Sequence, residues 1–217
     1  TRRNSAERRV QREILRNDAF DSLRSQWGES FEETCDQRIS VVSGDVSADG
    51  LGLSDLDRRL FISADVIIHS AATVSFDSPL DSSIEINLLG PNRIVQLLNE
   101  EAVTPHLIAV STCYVAGNRR GAANEELLAG TPFQVKVDWR AEVDAARRTR
   151  SDLDARSRVP EELKRFGKGA REELGAAGLP MLAAKTEQLR EAWVNDQMVE
   201  AGRSRATSLG WPDVYTY

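Results

Sequence analysis

Asp65-Val66-Ile67-Ile68-His69-Ser70-Ala71-Ala72-Thr73-Val74-Ser75-Phe76 is the stretch that decides the fold. Val66, Ile67 and Ile68 form a short continuous apolar run, the pattern of a strand buried on both faces of a parallel sheet. Ser70, Ala71 and Ala72 follow where that strand should end. Small side chains there let the main chain approach whatever lies across the carboxyl edge of the sheet, where open α/β sheets bind their ligands. Past Pro79 the spacing predicts a helix from about Leu80 to Glu100, with Ile84, Leu88, Val95 and Leu98 on its buried face. Asn87 is a polar residue among them. Pro91 lies inside this helix, lacks an amide donor and clashes with the carbonyl of Asn87 four residues back, so the helix should bend there.

Working outward, Ile39-Ser40-Val41-Val42 reads as a strand running into Gly44-Asp45-Val46. Leu107-Ile108-Ala109-Val110 reads as another, ending in Ser111-Thr112-Cys113-Tyr114-Val115. Strands alternating with helices imply βαβ units, hence an α/β fold with a parallel sheet. Upstream, Asn4 with Glu7 resembles a capping box for a helix striped by Val10 and Ile14. Asp18 is placed to cap a second helix bearing Phe20, Leu23 and Trp27 and stopped by Gly28. Residues 29–38 read as polar and irregular. Leu53, Leu56 and Leu60 recur at helical spacing over Leu53–Phe61.

After Gly121 the character changes. From Asp138 to Arg205 the chain has few β-branched residues and dense charges of both signs. Trp139, Val143, Ala146 and Leu153 form a helical stripe, Pro160 suits the first turn of a second helix, and Leu182, Leu189 and Trp193 share a face of a third. These stripes need something to pack against, so the region is a helical insertion and not a linker. It would either cover a substrate site or pack its helices onto one another.

Composition sets outer limits. With 217 residues there is room for one substantial core. A net charge of −6 gives no basic field for nucleic acid. No apolar run approaches the ~20 residues of a membrane span, and the first residues have no apolar stretch of the signal-peptide kind. Cys35 and Cys113 fit no zinc or redox spacing, and reduced thiols are the default. These features point to a soluble, cytoplasmic protein. A chain that opens on a helical pattern and closes on Val214-Tyr215-Thr216-Tyr217 reads as an internal piece of a longer one.

The run His69-Ser70-Ala71-Ala72-Thr73-Val74-Ser75-Phe76, with Asn87 and the ending Trp211-Pro212-Asp213-Val214-Tyr215-Thr216-Tyr217, resembles the fatty acyl-CoA reductases. These carry the male sterility type of NAD-binding domain and belong to the extended short-chain dehydrogenase/reductase superfamily. The long interval from Thr112 to Tyr215 is similar to theirs, whereas sugar-nucleotide epimerases of the superfamily have a few tens of residues there. The resemblance implies a partial Rossmann-type domain at 1–137 without the Gly-rich phosphate loop, the helical insertion at 138–210, and the start of a catalytic tyrosine helix at 211–217. Family members more often carry threonine where Pro91 stands.

By the same resemblance, Thr112 matches the catalytic serine or threonine, with Ser111 as the neighbouring alternative. Tyr215 matches the tyrosine of Tyr-x-x-x-Lys, the lysine falling at position 219; Tyr217 fits that pattern less well. A nearby cation lowers a phenol pKa that is ordinarily near ~10. Asn87 would begin a water-linked proton path. Arg2 and Arg3 would hold the 2′-phosphate of NADPH, unless they are simply exposed charges at a helix start. Asp45 would accept from the adenine amino group with Val46 against the ring, unless Gly44-Asp45 is an ordinary turn. Ser70, Ala71 and Ala72 would let the cofactor approach the main chain. His69 reads as structural, no metal site is expected, and Cys113 has no base or cation beside it to activate it.

The implied activity is NADPH-dependent reduction of a fatty acyl-CoA thioester to aldehyde or alcohol, with the isolated piece expected to be inactive. Its rivals are a reductase domain releasing acyl groups from carrier proteins and a non-catalytic NADP-binding or interaction module. Fatty acyl-CoA is the expected partner, without nucleic acid or a membrane span, and peripheral membrane contact stays open.

Overall fold

The computed structural model describes residues 2–117, 120–132, 134, 136–211 and 214, with the side chains of 2–4, 176, 177 and 179 outside the description. The chain divides into two compact units, Thr1–His69 with Gly90–Ile108, and Ser70–Leu89 with Ala109–Tyr217.

In the first unit, α1 (Arg2–Arg9) runs into a π turn at Val10–Ile14. Asn4 thus lies within the helix and does not cap it. The Leu15 N–H reaches the Val10 carbonyl (2.9 Å). That wider turn makes Leu15 the inward residue at 5% exposure and leaves Ile14 at 49%. Asn17, not Asp18, caps the next turn, its side-chain oxygen accepting from the Ala19 N–H (3.0 Å). Next comes α2 (Asp21–Trp27), which ends at Gly28 with φ 52°, a left-handed value that favours glycine. Residues 31–38, read as irregular, form α3 (Phe31–Arg38). Phe31 and Cys35 lie one turn apart and bury against Leu15, and Glu32 and Glu33 suit a helix N-terminus.

No strand forms at 39–42, against expectation. A strand needs a neighbour for its ladder, and the sheet among the described residues consists of β1 (Val66–His69) and β2 (His106–Ala109), paired in parallel. Ser54 caps α4 (Asp55–Ile62) by accepting from the Asp57 N–H (3.2 Å). Leu53 and Phe61 pack inward, whereas Leu56 and Leu60 face outward. The apolar run of β1 is buried on one face only. Ile67 packs against Ile94, Leu97 and Leu98, while Val66 and Ile68 are exposed.

The helix from Leu80 to Glu100 is present in three pieces: α5 (Leu80–Ser83), a π turn at Ile84–Leu88, and α6 (Leu89–Glu100). The π turn closes through the Leu89 N–H on the Ile84 carbonyl. Pro91, just beyond it, offers no N–H to the Asn87 carbonyl one turn back. Ile84 belongs to the core of the second unit, Ile94, Leu97 and Leu98 to that of the first. Val95, expected inside, is exposed.

The second unit is mostly helical, with α7 (Trp139–Ser157), α8 (Pro160–Leu174) and α9 (Leu182–Ser208). Asp138 caps α7 through the Arg140 N–H (3.0 Å), and Pro160 opens α8 as its type allows. Val143 and Ala146 of α7 meet Leu80, Ile84, Met198 and Val214 in the core. On α9 the buried residues recur every fourth position: Arg190, Val194, Met198, Gly202 and Ala206. Leu189 and Trp193 turn instead toward α8, near Gly169 and Phe166, with 6.0 Å between the rings of Phe166 and Trp193. Arg190, 3% exposed, joins α9 to the end of α7. It donates to Asp154 (2.6 Å), Ser157 (2.8 Å) and its own helix's Glu187 (2.7 Å).

Candidate active site

Within the second unit lies a cavity of about 300 Å³. Its apolar wall comes from Leu80, Ile84, Leu88, Val115, Val137, Trp139 and Val214, and its polar groups from Ser83, Asn87, Ser111, Thr112 and Glu142. Thus three residues singled out in the sequence, Asn87, Ser111 and Thr112, line one space. Val214, buried in the same wall, immediately precedes Tyr215. Tyr215 itself, with Tyr217, lies outside the described residues.

Thr112 is placed by the loop after β2. Its Oγ1 accepts from the Tyr114 N–H (3.2 Å). With one lone pair so occupied, the hydroxyl proton remains available for an oxygen in the cavity. Glu142 is clamped to Arg205 through two hydrogen bonds, one of 2.9 Å from Nε, so a bidentate ion pair ties α7 to α9 at the cavity edge. The Ser83 hydroxyl is buried and has no hydrogen-bond partner among the described residues. Cys113 is exposed.

The Asn87 side chain reaches the loop after β1. Its Oδ1 accepts from the Thr73 N–H and its Nδ2 donates to the Thr73 carbonyl, both at 2.9 Å. Thr73 Oγ1 in turn lies 2.9 Å from Ser78 Oγ. The loop so fixed presents Ser70, Ala71 and Ala72 exposed at the strand end. These three carry little side-chain bulk, which suits close approach of a ligand to the main chain.

In the first unit, Asp45 Oδ1 accepts from the Ser47 N–H (2.8 Å) and Ser47 Oγ (2.6 Å), so its carboxylate organises a turn. Val46 is half-buried, and its carbonyl accepts from Arg93 (3.3 Å). Gly90 permits the helix to sit over Val46, a Cβ there falling 3.4 Å from Val46 Cβ. The main chain of Arg2 and Arg3 is helical, and their side chains lie outside the description. His69 is buried at the end of β1. Among the described residues no group of three His, Cys, Asp or Glu is arranged to hold a metal, and no helix is long and apolar enough to cross a membrane.

The sequence matches the family described as Male sterility protein, an NAD-binding domain, over residues 1–217. The chain belongs to that family. The male sterility domain is a nicotinamide-dinucleotide binder, and its partial Rossmann-like character agrees with the parallel strand pair seen here. Among its relatives, fatty acyl-CoA reductase 1 of Arabidopsis thaliana is 27% identical over 216 residues, 98% of this chain and 38% of that protein. The alcohol-forming fatty acyl-CoA reductase of Simmondsia chinensis is 25% identical over 211 residues, 96% of this chain and 37% of that protein. Fatty acyl-CoA reductase wat of Drosophila melanogaster is 38% identical over 84 residues, 38% of this chain and 16% of that protein. The male sterility chain thus spans well under half the length of these relatives.

Several cavity residues of this male sterility domain carry no local signal in the sequence. Glu142 and Arg205 are far apart in the chain and pair only through helix packing. Ser83 looks like any helix-start serine. Leu80 and Val214 are ordinary apolar residues until the fold brings them together.

Proposed function

We propose that the full-length protein carrying this chain uses NADPH to reduce fatty acyl-CoA thioesters to fatty aldehyde or alcohol. The observation that carries the reading is the cavity of the second unit, which joins Thr112 and Asn87 to an apolar wall ending at Val214, next to Tyr215. The printed names of the plant and insect relatives support it.

In this reading the acyl chain lies along Leu80, Ile84, Leu88 and Trp139, with the thioester carbonyl at Thr112. The Thr112 hydroxyl donates to the carbonyl oxygen as negative charge gathers there, and Tyr215 delivers the proton. Reduced nicotinamide, when bound, supplies the hydride to the carbonyl carbon. The resulting hemithioacetal breaks its C–S bond, releasing the thiol of CoA and the aldehyde. Asn87 keeps two tasks apart: its side chain holds the 70–78 loop through Thr73, and its main-chain carbonyl anchors the water that refills the proton on Tyr215. For the cofactor, Ser70, Ala71 and Ala72 form the close-approach edge, Asp45 and Val46 the adenine contact, and Arg2 and Arg3 the contact to the 2′-phosphate. The domain division at 1–137, 138–210 and 211–217 and a cytoplasmic location belong to the same proposal.

The test is NADPH oxidation by the full-length protein, with octanoyl- to stearoyl-CoA and with the same acyl groups on a carrier protein, products identified by mass spectrometry. Aldehyde or alcohol formed from acyl-CoA supports the reading. Turnover confined to the carrier-bound acyl group, or none at all, sinks it.

A further inference from the structure

We propose that Gly202 sets the bore of the acyl cavity, as a specificity-determining position acting through Leu80 and Val214. The inference rests on the fatty acyl reading above.

A glycine in a helix interior costs about 1 kcal/mol relative to alanine. Gly202 stands well inside the 27 residues of α9, on the buried stripe between Met198 and Ala206, both at 0% exposure. Close approach compensates for it. A Cβ at position 202 would fall 2.8 Å from Val214 Cγ2 and 3.1 Å from Leu80 Cβ. The first distance is one that packed carbon atoms do not adopt, and the second requires its neighbour to give way.

The residues that would have to yield are both walls of the cavity. Leu80 meets the added methyl with Cβ, an atom no rotamer change can move, since it follows the main chain at the start of α5. That main chain is held by the pairing of Asp81 with Arg150 of α7 (2.7 and 3.0 Å). Val214 is the softer neighbour, but it sits one residue before Tyr215 and 4% exposed. Any side chain at 202 therefore alters the wall of a cavity of about 300 Å³ or shifts the approach to the tyrosine. The missing methyl lets Leu80 and Val214 close on α9, which sets where the cavity wall stands.

Four full-length proteins decide it: wild type, Gly202→Ala, Val214→Ala and the double variant. In Gly202→Ala, kcat/KM for stearoyl-CoA relative to octanoyl-CoA should fall about tenfold, the scale of a methylene-sized change in an apolar pocket. Adding Val214→Ala removes the closest obstructing atom and should restore most of that ratio. An equal loss at both chain lengths, or a double variant no better than Gly202→Ala, overturns the specificity role. A wild type inert toward every acyl-CoA refutes the fatty acyl reading instead. Thermal unfolding of the same four proteins then tests the close approach alone. Val214→Ala should cost less stability in the Gly202→Ala background than in wild type, and strict additivity overturns it.

Discussion

Asn87 and Thr73, on separate elements, are joined by a pair of reciprocal hydrogen bonds in which one amide side chain satisfies both the N–H and the carbonyl of a single loop residue. Only a carboxamide offers a donor and an acceptor in that geometry. Asn87→Asp keeps the acceptor for the Thr73 N–H but sets a second oxygen against the Thr73 carbonyl. The loss should be about 1–3 kcal/mol of stability, with faster hydrogen exchange at the Thr73 amide. Unchanged exchange there would mean that the loop is held by something else.

Thr112→Val removes the hydroxyl and keeps the shape. If that hydroxyl meets the developing oxyanion, kcat should drop about a hundredfold or more while KM for acyl-CoA changes little. Thr112→Ser should retain most of the rate. A KM effect alone would place Thr112 in ground-state binding only.

The two tryptophans of the helical region should behave differently. Trp139 lines the cavity, with the Arg140 guanidinium 4.2 Å above its ring. Trp193 is packed against Phe166 and flanked by Arg156 and Arg165, each at 5.7 Å. Trp139→Ala should change the preference between octanoyl- and stearoyl-CoA. Trp193→Ala should cost about 3–5 kcal/mol at most, as a large-to-small change at a half-buried site, and lower activity equally for all lengths. A chain-length shift in Trp193→Ala, with none in Trp139→Ala, would reverse the assignment.

Cofactor choice tests Arg2 and Arg3. Replacing both with glutamine should raise the KM for NADPH and spare that for NADH, since only the former carries a 2′-phosphate. Equal use of both cofactors by the unaltered protein removes the basis for the pair.

Acid stability should depend on Arg190. Asp154 is held below the usual carboxylate range chiefly by a hydrogen bond from Arg158, and Glu187 chiefly by one from Arg190. Lowered folded-state values mean a contribution fully present above the unfolded values, about 3.9 and 4.3, and lost as pH falls through the folded ones. Both side chains are more than a third exposed, so the amplitude is small. Arg190→Met should flatten the decline in urea midpoint below about pH 4. An unaltered slope would show that other carboxylates set it.

Much of the α/β frame was legible because β1, the helix after it and β2 carry strong local patterns. The departures cluster where local pattern and packing part. Val10 to Leu15 is a spacing of five, which a search for three-and-four periodicity passes over, and the π turn makes it inward-facing. Val95 reads as inward only if one stripe runs from Ile84 to Leu98, whereas the helix serves two separate cores. Ile39-Ser40-Val41-Val42 has strand composition but no ladder beside it. Of the cavity lining, Thr112 and Asn87 were singled out in the sequence by family resemblance. Gly202, Glu142 and Leu80 were not, because their roles arise from contacts between segments distant in the chain.

The stripe on α9 repeats at four-residue intervals, so beyond Arg190 its apolar surface nearly matches itself after a slide of four residues, about 6 Å. The apolar positions other than Gly202, where Leu80 and Val214 pack close, would tolerate that slip. Arg190 would not: displaced by that slide, its guanidinium would keep Glu187 of its own helix but lose Asp154 and Ser157. The arginine thus works as an axial stop, turning a sliding contact into a discrete setting. Gly202 and, beyond the helix end, Val214 inherit their positions from that stop, so the width of the cavity is gauged from the opposite end of the same helix.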